Sequence, residues 1–61
     1  MGLRAAREKI GKTQARVAEE SGVSVRLYQY YEAGEKKPTV TAAIRIANAL
    51  GVKDLRELFG S

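Results

Sequence analysis

The chain has 61 residues, 11 Lys and Arg against 7 Asp and Glu, a net charge of +4, a pI near 9.8, and neither Cys nor His. That composition excludes disulfide staples, zinc fingers of the Cys/His kinds, a thiol nucleophile and imidazole acid–base chemistry. With no apolar run near the ~20 residues that span a bilayer and no signal peptide at Met1, a single cytoplasmic domain over 1–61 is expected. Its positive charge suits a polyanion such as nucleic acid, and equally a merely soluble basic domain.

Leu3, Ala6 and Ile10 recur at i, i+3, i+7 and predict a first helix ended by Gly11. Thr13 then stands as an N-cap, and Gln14 to Ser21 reads as a second helix with Val17 and Ala18 facing inward. Gly22 falls where a helix ends in a left-handed residue, a conformation that glycine adopts without steric penalty. Ser24 restarts the chain as the next N-cap, and Val23 and Tyr28 have the spacing of a hydrophobic staple. A stop, a buried hinge residue and a start within three residues outline a helix-turn-helix over Thr13 to Glu32.

The third helix, Val25 to Ala33, ends at Gly34, and Pro38-Thr39 makes a stop-and-start pair. Val40, Ala43, Ile46, Ala47 and Leu50 form the inward stripe of a fourth helix ended by Gly51. Ile44 lies off that stripe, as a half-exposed core edge or a modest partner contact. Asp54 and Glu57 have the D-x-x-E form of a capping box, and Leu55, Leu58 and Phe59 supply a last apolar face before Gly60. The expected fold is all-α, a compact five-helix bundle without strands, repeats or linkers.

At roughly 100° per residue the third helix divides into two arcs. Leu27, Tyr28 and Tyr31 fall on one side and should be core, with the tyrosine hydroxyls reaching the surface. Val25, Arg26, Gln29, Tyr30 and Ala33 fall on the other. A guanidinium, an amide and small apolar groups are what read base edges: Arg to guanine, Gln to adenine, an apolar group to the thymine methyl. Ser24 at a helix N-terminus and Gln14 at another are phosphate-binding elements. Lys36 and Lys37 are placed to grip a backbone beyond the third helix, or simply to solvate a turn. Lys12 and Arg16 are weaker candidates.

At these residues the chain resembles the phage-repressor and Cro-like helix-turn-helix family, the XRE type, over essentially its whole length. The resemblance is carried by Thr13-Gln14, the Ala18 and Gly22 spacing, Glu32-x-Gly34, the loop to Pro38, and the pairs Ile46-Ala47 and Leu50-Gly51. It implies that the second helix lies across the DNA backbone and the third enters the major groove. Base-facing residues would then be Val25, Arg26, Gln29 and Tyr30, with Gln14, Ser24, Lys36 and Lys37 on phosphates. It also implies an ion pair between Arg7 and Glu32. Three departures stand out: Ser21 where an apolar residue is frequent, Lys12 where Leu is frequent, and a segment 52–59 one residue longer than the commonest form.

The expectation is therefore a sequence-specific double-stranded DNA-binding regulator of repressor type, without cofactor or metal, nucleoid-associated when bound. Any homodimer on a palindromic site would form through this one domain or on DNA. The alternative is a protein-interaction module, an antitoxin-like adaptor of the same fold with weak specific DNA binding. An enzyme is not expected, since no P-loop, metal constellation or activated nucleophile is present.

Overall fold

In the computed structural model, which describes residues 2–59, the glycine punctuation divides the chain into five helices. They are α1 (Leu3–Lys9), α2 (Gln14–Ser21), α3 (Val25–Ala33), α4 (Val40–Leu50) and the single-turn α5 (Arg56–Phe59). The chain leaves each of the first four by the same backbone bond, six residues back to one. These bonds run from Lys12 N to Arg7 O (3.3 Å), Val23 N to Ala18 O (3.0 Å), Glu35 N to Tyr30 O and Val52 N to Ala47 O (both 2.9 Å). That geometry needs a left-handed residue at the turn. Gly22 supplies it with φ 73°, and a Cβ there would also stand 3.4 Å from Arg45 Nη1. That is an ordinary contact with the end of a flexible side chain, so it is conformation that calls for glycine at 22.

Three helices start on a hydroxyl. Thr13 Oγ1 accepts from Arg16 N at 3.0 Å, Ser24 Oγ from Leu27 N at 3.0 Å and Thr39 Oγ1 from Ala42 N at 3.1 Å. Each such cap contributes about 1 kcal/mol. Between caps the apolar stripes meet. Helix α2 packs most extensively on α4 and next on α3, while α1 closes against α3 and α5. Leu3, Ala6, Val17, Ala18, Tyr28, Ile46, Ala47, Leu50 and Leu58 form one core. Full burial of Ile46 or Leu50 contributes about 1.5–3 kcal/mol, and the small Ala18 and Ala47 leave room for the α2–α4 approach.

Three expectations fail at helix ends. Ile10 lies past the last residue of α1 and is 44% exposed, because the stripe outruns the helix that carries it. Val40 opens α4 but is 73% exposed, lining a groove with Pro38, Leu55 and Phe59, because the stripe starts at the helix end, outside the core cluster. Asp54 Oδ1 accepts from Arg56 N, two residues on, at 2.9 Å. It closes a tight turn instead of a capping box with Glu57, and α5 begins only at Arg56. Gly60, read as the terminator of the last helix, lies outside the described residues. Ile44 is half-exposed, as expected.

Candidate nucleic-acid interface

Helix α3 is held from behind and open in front. Tyr28 is completely buried, and Leu27 and Tyr31 are half-buried. The opposite arc is free: Val25, Arg26 and Gln29 are exposed and Tyr30 is partly so. Among the described residues Arg26 forms no salt bridge, which leaves its guanidinium available. Tyr30 receives Lys36, whose Nζ lies 4.9 Å from the ring centroid. That cation–π contact holds one of the two loop lysines at the edge of the α3 face. Lys37 stands exposed beside it. Ser24, exposed at the N-terminus of α3, spends its oxygen on the cap and keeps its hydroxyl proton free.

Behind that face lies a polar knot. Arg7 Nε donates to Glu32 Oε2 at 2.6 Å and Arg7 Nη1 to the carbonyl of Lys12 at 2.9 Å. One guanidinium thus joins α1, the loop before α2 and the end of α3. Gln14 Nε2 donates to Glu32 Oε1 at 3.0 Å, and Gln29 Nε2 donates to Gln14 Oε1 at 3.2 Å. Burial pushes the Glu32 carboxyl up, but hydrogen bonds from Arg7 and Gln14 and the guanidinium charge outweigh it and hold the carboxyl below its ordinary value. The Tyr28 hydroxyl sits beside this pair, buried and without a hydrogen bond of ordinary geometry. Burial, with the Glu32 carboxylate second, pushes its pKa up. The expectation that this hydroxyl reaches the surface is therefore wrong: α3 lies too close to α1 and α2 for the ring to slant outward.

Two weaker phosphate candidates have other partners. Lys12 Nζ donates to Glu20 Oε1 at 2.6 Å and to the Ala49 carbonyl at 2.9 Å, placing a cation at the negative end of α4. Arg16 Nε donates to the other Glu20 oxygen at 2.7 Å. Gln14, read as a phosphate ligand, has its amide engaged on both sides, and only one side-chain N–H and the N-terminal backbone of α2 remain outward. Sequence reasoning missed the Gln14–Gln29 contact. The two lie on different helices, and no spacing rule links them.

A hydroxyl-capped helix pair, a buried brace behind the second helix and an open polar arc in front define a helix-turn-helix protein. The helix-turn-helix family pattern matches residues 3–58, and the chain belongs to that family. It is 44% identical over 54 residues, 88% of its length, to the cryptic phage CTXphi transcriptional repressor RstR of Vibrio cholerae serotype O1. The chain spans about half the length of that relative, 47%. No solved structure matches it significantly.

Proposed function

We propose that this domain binds double-stranded DNA sequence-specifically and regulates transcription as a repressor, by occupying a site at or beside a promoter. The observation that carries the reading is the face of α3: Val25, Arg26 and Gln29 stand exposed, while Tyr28 and Tyr31 pack into the core and Glu32 is ion-paired behind them. Placed in the major groove, Arg26 suits guanine, Gln29 a purine edge, and Val25 and Tyr30 apolar contact. Ser24, the outward side of Gln14, Lys36 and Lys37 suit flanking phosphates. The repressor name of the Vibrio relative supports the regulatory half. A binding role fits the family better than catalysis, and cytoplasmic action follows from the target. No helix among the described residues is long and apolar enough to cross a membrane.

Two copies would read half-sites one helical turn apart, about 34 Å. The longest dimension of the domain is 25 Å, so two copies fit that spacing on one face of the duplex. Selection of bound sequences from random duplexes tests the reading. Enrichment of a motif, palindromic if two copies bind, is expected, with affinity falling as salt rises by a log–log slope of about −0.9 per neutralised phosphate. Failure to enrich any motif would sink it. The exposed pair Val40 and Ile44, one turn apart on α4, favours an adaptor role as the second reading. In that case Arg26→Ala and Gln29→Ala would leave partner binding intact.

A further inference from the structure

We infer that Gln14 is a positioning residue that fixes which way round Gln29 presents its amide, and with it the purine that Gln29 prefers. The inference rests on the DNA-binding reading above. A carboxamide can normally face either way, since its oxygen and nitrogen are nearly the same size. Here the far end of the network decides. The Arg7 guanidinium can only donate, and the ionised Glu32 carboxylate can only accept. Glu32 Oε1 therefore requires Nε2 of Gln14, found at 3.0 Å. That turns Gln14 Oε1 toward α3, where it too can only accept, and Gln29 answers with Nε2 at 3.2 Å.

Three consequences follow for the outer face. Gln29 is left with its Oε1 and one N–H directed away from Gln14, an acceptor beside a donor. That edge complements adenine, which offers a donor at N6 and an acceptor at N7. The reversed amide would offer two N–H groups, the complement of guanine O6 and N7. It would also set two oxygens against each other at Gln14, so the network disfavours it. A partly buried charge pair behind the helix thereby selects adenine over guanine in front of it, through two amides and no base contact of its own.

The test is position-resolved selection and competition binding with the wild type, Gln14→Met, Gln29→Ala and the double variant. Gln14→Met leaves the Arg7–Glu32 bond in place and keeps a good helix former, and thermal melting checks its fold. The expected result is a loss of about five- to tenfold in adenine-over-guanine preference at one base position, the low end of one bidentate contact. Preferences elsewhere in the motif stay as they are, and in the Gln29→Ala background Gln14→Met changes the motif no further. A Gln14→Met protein that loses affinity for all duplexes alike, with an unchanged motif, makes Gln14 a phosphate ligand and overturns the inference alone. A wild type that enriches no motif overturns the inference and the DNA-binding reading together.

Discussion

Glu20 and Glu32 occupy the same place in their helices. Each is the last residue but one, of α2 and α3 respectively, and each is followed by one residue and a glycine that turns the chain. Each also sits at the negative end of a helix, where a carboxylate is disfavoured unless donors approach. Both have them: Lys12 and Arg16 for Glu20, Arg7 and Gln14 for Glu32. The two helices are rotated differently against the core, and that changes everything else. The Glu32 side chain is 6% exposed and accepts hydrogen bonds from α1 and α2, and the residue after it, Ala33, faces solvent. The Glu20 side chain points out and the residue after it, Ser21, is buried. The same Glu-x-Gly ending yields a brace in one helix and a surface pair in the other, so the role belongs to the packing.

The sharpest way to test the brace is to remove the cation at Glu32 and set the loss against that of an exposed pair elsewhere in the chain. Arg7→Ala strands Glu32 with a charge that water barely reaches. Its cost should be about 2–3 kcal/mol, at or below the low end for a broken buried pair because water is never far in so thin a domain. In a domain this size that lowers Tm by roughly 10 °C or more. Arg56→Ala, which removes an exposed partner of Asp54, should move Tm far less. Equal melting temperatures for the two variants would refute the brace.

Acid should separate the two ends next. Because the folded Glu32 pKa is lowered from 4.5, its stabilisation is present above the unfolded value and is lost as pH falls through the folded one. Melting followed from pH 6 to pH 3 should show a steep loss for the wild type and a shallower one for Glu32→Gln, which starts lower. Parallel curves would mean that Glu32 does not carry the acid response. At the alkaline side the sign reverses. The raised pKa of Tyr28 keeps its stabilisation intact below about 10, where free tyrosine ionises, and surrenders it above.

Lys12→Ala should come third. It removes the Glu20 pair and the cation at the Ala49 carbonyl at once, so its Tm should drop by less than that of Arg7→Ala and by more than that of Arg16→Ala. The Arg16 side chain is 62% exposed and, among the described residues, its ion-pair partner is Glu20. If Arg16→Ala proves the costlier of the two, the α4 end is not what Lys12 stabilises.

Which parts of this were legible in the sequence follows from the range of the forces. Helix starts and stops are decided within about five residues, so Thr13, Gly22, Ser24 and Gly34 could be read directly. The inward stripes could be read too, until they ran past a helix end at Ile10 or past the packed neighbours at Val40. The outer arc of α3 followed from angle alone. The Arg7–Glu32 contact joins residues 25 apart and came chiefly from family resemblance. The Gln14–Gln29 link and the Lys12–Ala49 contact, 15 and 37 residues apart, had no local signal. An amide reaching across a turn looks the same in sequence as an amide reaching for a phosphate.

The smallest expected effect lies at Ser21, and it is a gain. In α3 the residue between the glutamate and the glycine is an exposed alanine. In α2 the same position is turned inward, where Ser21 is 1% exposed and its Oγ has no hydrogen-bond partner. Burying a hydroxyl without a partner costs about 1–3 kcal/mol in mutational data, whereas alanine adds helix propensity and nearly the same volume. Ser21→Ala should therefore raise Tm by a few degrees, an increase of up to about 1 kcal/mol, and leave DNA binding as it was. An unchanged or lowered Tm would mean that the Ser21 hydroxyl is satisfied in solution, and that the end of α2 is less tightly closed than that of α3.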